Sequence, residues 1–238
     1  GRAGQAWRMP TVGELYQQVT VGTQLANPNP DLRPERARSA ELAVERSDAR
    51  GNLRLSLFNE VVDGALISQL GTVPGTQQTA TFVQNVDRTR ARGVELALDR
   101  RDVLPGVDLS GSLTWADAIT SAYTLLPALT PSLVGKLLPG VPRWKASAVI
   151  TWRPADAVSL TAAARYASRI YGTLNNADFN GNTYQGFDTY FVVDLRAAFR
   201  VGEHMEFAVG VDNVANDKYF LFHPFPQRSV TAELRVKL

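Results

Sequence analysis

The chain contains no cysteine, so disulfides, thiolate metal sites and a cysteine nucleophile are excluded, while the compartment stays open because many exported proteins avoid the residue. Its two histidines, His204 and His223, are far apart in sequence; a histidine-based metal site would need acidic ligands as well, and structural roles fit both better. No apolar run approaches the roughly 18 residues of a membrane-crossing helix. A basic stripe of the kind that tracks a nucleic-acid backbone is also missing, since 25 Lys and Arg lie intermixed with 23 Asp and Glu for a net charge of +2. There is no Gly-rich phosphate loop and no plausible Ser/His/Asp set, so catalysis has little support and no cofactor is implied. A signal peptide is missing as well. The opening "GRAGQAWRMP" would suit a mature exported chain or an excised fragment equally.

What the sequence does have is period two. In "FDTYFVVDLRAAFRV" (187 to 201), Phe187, Phe191, Leu195 and Phe199 share one parity, and Asp188, Asp194, Arg196 and Arg200 share the other. The same alternation runs through "SAELAVER", "NLRLSLFNEVV", "GVELALD", "VDLSGSLTW", "RWKASAVITWR", "VSLTAAARYASRIY", "EFAVGVD" and "SVTAELRVKL". About nine strands and no convincing helix are predicted.

The links between strands alternate in length. Short ones fall at 47–51, 101–106, 153–157 and 201–204. Long polar or Pro/Gly-rich ones fall at 69–78, about 118–141, 172–186 and 215–227. A soluble sandwich or lipocalin-like barrel has no obligatory short-long rhythm. A closed outer-membrane barrel has short periplasmic turns, long outer loops, an apolar face toward lipid and a charged face toward a wet lumen. Under that reading Trp144, Trp152, Phe187, Phe191, Leu195 and Phe199 face lipid, with Trp144 and Trp152 bracketing one stripe as interfacial girdles. Arg143, Lys145, Arg153, Arg165, Arg169, Asp194, Arg196 and Arg200 line the lumen. The basic residues there either pair with acids such as Asp188, Asp194, Glu206, Asp212 and Glu233, or attract an anionic ligand by their field.

Several runs resemble, in order, the signature elements of TonB-dependent outer-membrane receptors: "WRMPTVGELY" (7 to 16), "NPDLRPE" (29 to 35), "AEL" (40 to 42), "GVELAL" (93 to 98), "VPRWKASAVITW" (141 to 152), "VDNVANDKY" (211 to 219) and "FPQRSVTAELRVKL" (225 to 238). The resemblance covers nearly the whole chain. It implies an all-β antiparallel transmembrane barrel of about 22 strands, of which residues 1–238 hold the last nine or ten, with 1–34 an extracellular loop and strand-end segment and 35–238 the strands. The plug domain and TonB box are not visible in this sequence. Family chains commonly end in Phe or Trp, whereas this one ends in Leu238.

Carried to this chain, the resemblance implies import of a scarce nutrient across a Gram-negative outer membrane. A ferric siderophore is the first expectation; haem, cobalamin or a glycan are others. The TonB-ExbB-ExbD complex would supply energy through the plug, and the barrel-assembly machinery and outer-membrane lipid are further partners. No bond in the substrate would change, and no resident metal or cofactor is called for. Loop residues Tyr171, Phe179, Tyr184, Tyr219, Phe222 and His223 are the candidate ligand contacts, since aromatics with polar tips suit planar amphipathic ligands; packing of loop on loop is the alternative role. The alternatives are a passive porin or other barrel without a plug, a soluble β-sandwich binding module, and a barrel enzyme for which His223 is the sole loop-side histidine.

Overall fold

The computed structural model describes residues 1–17, 19–21, 24–72, 79–124, 132–178 and 181–237. Phe179 and Leu238, both singled out from the sequence, lie outside the described residues. Ten strands form one antiparallel path in a single sheet: β1 (Arg2–Arg8), β4 (Glu35–Asp48), β5 (Gly51–Thr72), β6 (Thr79–Leu104), β7 (Val107–Ala122), β8 (Trp144–Ala155), β9 (Val158–Ala167), β10 (Tyr190–Val201), β11 (Met205–Asp212) and β14 (Ser229–Val236). The short strands β2 (Val19–Val21) and β3 (Gln24–Asn27) join this sheet alongside β6, and β12 (Phe220–Leu221) pairs with β13 (His223–Pro224) in a separate two-residue hairpin.

The alternating link lengths hold. Residues 49–50, 105–106, 156–157 and 202–204 close hairpins at one end, and every longer connection lies at the other. Gly106 shows why the short end tolerates so little: its φ is +71°, and a Cβ there would come within 2.5 Å of the Arg153 carbonyl oxygen. At the other end β5 and β6 pair as far as Thr72 and Thr79, so residues 69–72 of the stretch read as a loop at 69–78 are strand, and 73–78 lie outside the described residues.

Two features differ from the sequence reading. Residues 2–8, assigned to a loop and strand-end segment, form β1 along the edge of β4. Their small residues Ala3, Gly4 and Ala6 give no clear alternation, so the strand is defined by its neighbour. A one-turn helix, α1 (Val12–Tyr16), follows. It starts because Thr11 and Glu14 form a capping box: the Glu14 amide donates to Thr11 Oγ1 at 3.2 Å and the Thr11 amide donates to Glu14 Oε2 at 2.7 Å.

Registered pairing places the apolar parity in continuous rows. One row runs Leu42, Leu57, Val94, Trp115, Trp144, and another runs Leu109, Ile150, Ala162, Leu195, Val211, Val230. These side chains are open: Leu42 is 58% exposed, Leu57 47%, Trp152 47%, Phe191 58% and Leu234 65%. A soluble sandwich buries such a face under a second layer. Among the described residues the buried apolar cluster is only Ala65, Val86 and Leu174, with a few neighbours, at the long-loop end. The apolar face is the outside of a transmembrane wall.

The height of that face agrees. Phe191 to Phe199 on β10 and Trp144 to Trp152 on β8 are each eight residues apart. At about 3.3 Å per residue and a tilt near 40° each gives about 20 Å, close to the ~25 Å apolar band of an outer-membrane barrel.

Candidate ligand-facing surface

The other face of the same strands is polar and internally matched. Arg165 donates to Asp194 at 2.9 Å, Arg196 to Glu233 at 3.0 Å, and Arg153 to Asp108 at 2.7 Å. Arg54 joins Glu41 and Glu45, and Arg2 also reaches Glu41. Between these pairs run hydroxyl contacts, Ser112 with Ser147 at 2.9 Å and Thr151 with Thr161 at 3.1 Å. Arginine on this wall is therefore mostly paired with acid across neighbouring strands. Lys145, opposite Thr114 and Ala167, and Arg200, opposite Glu206, make no ion pair among the described residues. Arg143, read as lumen-lining, precedes the first residue of β8, and its guanidinium instead lies 3.4 Å from Asp117, two residues along β7 from Trp115 on the outward parity. Arg169 follows β9 in the link to β10.

Above the wall the outer loops lock onto one another. The 168–189 loop and the 213–228 loop share a buried carboxylate, Asp188, which accepts from the Phe220 amide at 2.8 Å and the Asn182 amide at 3.2 Å. The Phe222 amide donates to the Gly186 carbonyl, and the Gln185 amide to the Phe222 carbonyl, both at 2.8 Å. Around this seam Tyr184 lies against Phe220 and His223, and Phe222 against Phe187 and His223. The structure thus brings Tyr184, Phe222 and His223 together, with Tyr184 66% exposed.

Tyr219 behaves differently. It is 5% exposed and stacked between Tyr190 at 4.7 Å and Phe225 at 4.9 Å, and burial pushes its phenol above the ordinary pKa. Its stack fixes the loop against β10. Tyr171 stands apart from the cluster, its carbonyl accepting from Gly140 at 2.9 Å. Phe187, read as lipid-facing, lies before the start of β10 and packs on Phe222 in the loop cluster, because the strand parity does not extend to it.

Residues in the recurring sequence runs turn out to tie loops to strands. In "NPDLRPE", Asn29 donates to the Val83 carbonyl at 3.2 Å, Leu32 is buried, the Arg33 amide donates to Asn85 Oδ1 at 2.8 Å, and Glu35 accepts from the Leu66 amide at 2.7 Å. In "VDNVANDKY", Asn213 is buried at φ +50°, exchanges two 2.8 Å hydrogen bonds with the Asp217 backbone, and donates its own amide to Asp194 at 2.8 Å. Asp194 thereby couples the Arg165 pair on the wall to the loop above it.

Sequence reasoning missed Asp188 as the loop fastener and Phe58 as a cover for Gly93. A Cβ on Gly93 would meet the Trp115 carbonyl oxygen at 2.1 Å and the Phe58 ring at 2.5 Å, so only glycine lets that ring lie over the strand. An apolar residue on the charged parity was the available signal. No group of three or more His, Cys, Asp or Glu able to hold a metal occurs among the described residues.

An antiparallel meander with an unsheathed apolar face, a paired polar face and long loops at one end defines the wall of an outer-membrane β-barrel. The family model described as "TonB dependent receptor-like, beta-barrel" matches residues 1–214, and the chain belongs to that family. No curated protein matches the chain.

Among solved structures it is similar to the copper transporter OprC, at 20% identity and a TM-score of 0.68 over 98% of this chain and 36% of that one. It is also similar to the siderophore receptor PiuA from Acinetobacter baumannii, at 19% identity and a TM-score of 0.66 over 97% of this chain and 31% of that one. A mutant of the ferric enterobactin receptor PfeA from Pseudomonas aeruginosa gives 17% identity and 0.62 over 98% and 37%. The chain thus spans about a third of the length of the structures it matches.

Proposed function

We propose that this chain is the C-terminal part of the barrel of an active transporter in a Gram-negative outer membrane, importing a ferric siderophore with energy from the TonB-ExbB-ExbD complex acting through a plug domain. The observation that carries this reading is membership of the TonB-dependent receptor-like family over residues 1–214. Two of the solved structures it resembles are a siderophore receptor and a ferric enterobactin receptor. The chemistry of the surface supports the same substrate class. Tyr184, Phe222 and His223 present aromatic faces with hydroxyl and imidazole tips, suited to flat amphipathic chelates. Lys145 and Arg200 add positive charge to the wall below, which would draw an anionic complex inward. The transporter leaves its cargo chemically unchanged.

Uptake of radiolabelled ferric siderophores by iron-limited cells, with and without the intact receptor, tests this. Receptor-dependent uptake that stops when a protonophore collapses the inner-membrane gradient is the expected result. Uptake that survives the protonophore would make the barrel a passive porin. Receptor-dependent uptake of copper with none of any ferric chelate would move the reading to copper, the metal carried by the similar transporter OprC.

A further inference from the structure

The outward face does not end where its apolar rows end. On β6 the residues following Val94 toward the long loops on the same parity are Arg92, Arg90 and Arg88; on β4 they are Arg38 and Arg36 beyond Ala40; on β7 Asp117 follows Trp115. Cross-strand pairing brings these together, Arg92 opposite Asp117 and Asp63 opposite both Arg36 and Arg88. The two acids are shared. Asp63 accepts from Arg38 at 2.7 Å and from Arg88 at 2.6 Å, while Asp117 lies 3.2 Å from Arg90 and 3.5 Å from Arg92. With Arg143, also 3.4 Å from Asp117, six arginines against two aspartates leave this patch strongly positive. The side chains of Arg38, Arg88 and Arg92 are 46%, 53% and 55% exposed.

Depth decides what such a patch meets. Each outward-facing residue lies about 5 Å further along the bilayer normal than the last, given the rise and tilt of a barrel strand. Arg92 and Asp117 are one such step beyond the apolar stripe, which puts them in the polar layer, roughly 5–7 Å thick, that borders the hydrocarbon, and Arg90, two steps up, stands just above it. The Trp115 and Trp144 rings, 6.4 Å apart, mark that boundary from below. Facing lipid, these arginines are turned away from any cargo in the lumen.

We propose that this patch binds phosphate groups carried on the acylated headgroup of a lipid in the leaflet on the long-loop side. Guanidinium forks match phosphate oxygens two at a time, and the shared aspartates hold the forks in fixed positions while leaving net charge for an anion. The acyl chains of the same lipid would lie along the Leu42, Leu57, Val94 and Trp115 row directly beneath. The proposal rests on the membrane placement of this wall and is independent of which cargo is carried.

The test uses the native receptor purified in a neutral detergent, with bisphosphorylated lipid A, the same lipid stripped of its phosphates, and inorganic phosphate as probes. Saturable binding of the bisphosphorylated lipid that weakens as salt rises, with little binding of the stripped lipid, is expected. Arg38→Gln with Arg92→Gln should weaken it about fivefold per arginine removed, because Asp63 keeps Arg88 and Asp117 keeps Arg90. Heat-modifiable electrophoretic mobility reports whether that variant has folded; if it has not, the wild-type comparison of the two lipids decides alone. Equal binding of both lipids, undiminished binding by a folded variant, or full competition by inorganic phosphate at matched ionic strength would each overturn the proposal.

Discussion

Leu195 offers the sharpest test of which face meets lipid. It lies four residues from Phe191 and four from Phe199 on β10, about 10 Å of depth from either end of the apolar band. Its registered neighbours are Ala162 and Val211, and its side chain is 46% exposed. In Leu195→Arg a charge enters the middle of the band with no acid among its registered neighbours to meet it, at a cost of about 2–4 kcal/mol. Val201→Arg on the same face, at the short-turn end, should cost only about 0–1 kcal/mol because the guanidinium reaches the interface.

Arg196→Ala removes a pair to Glu233 whose side chains are 54% and 48% exposed, worth about 0–1 kcal/mol. Urea unfolding of the native protein in phospholipid vesicles, with the yield of heat-modifiable protein in outer-membrane fractions as a second readout, separates the three. An Arg196→Ala loss as large as that of Leu195→Arg, or equal losses at positions 195 and 201, would refute the orientation.

Three further outcomes follow from local geometry. Gly93→Ala should destabilise by about 1–3 kcal/mol through overpacking, and adding Phe58→Ala should relieve only the ring's share, since the Trp115 carbonyl remains in the way; a denaturation double-mutant cycle reads this, and full rescue would contradict it. Asp188→Ala leaves the Phe220 and Asn182 amides without their shared acceptor, at about 1–3 kcal/mol, so limited proteolysis should cut the 213–228 loop faster while the barrel stays intact; unchanged cleavage would show that the aromatic seam alone holds the loops. The Thr11 amide, with Arg8 and the Thr11 hydroxyl, holds the Glu14 carboxyl below its ordinary pKa of 4.5. Its stabilisation of α1 is therefore complete above that value and is lost as pH falls through the lowered one. Amide protection factors over residues 11–17, taken relative to the intrinsic exchange rate at each pH, should fall in acid and do so less in Thr11→Ala; a profile with no acid dependence would sink the capping argument.

The sequence alone determined the strands, their faces and the end at which the long loops gather. The reason is that a transmembrane wall has a strict two-residue period with different solvents on its two sides, so nearly every residue from Leu53 to Leu57 or Trp144 to Trp152 reports its own orientation. The loop rhythm is what points to lipid, and not a second protein layer, on the apolar side. Tertiary structure decided what depends on contacts between distant segments. Residues 2–8 become a strand because β4 offers an edge. Tyr219 disappears into a stack while Tyr184 stays open. Phe187 leaves the apolar row because its strand starts three residues later.

The alternation of Arg88, Arg90 and Arg92 was legible as a pattern, yet its meaning required register. Only pairing with Arg38, Asp63 and Asp117 shows that these charges form one patch at the upper border of the apolar face. Period fixes the side on which a residue stands, and neighbours three strands away in space fix what it meets there.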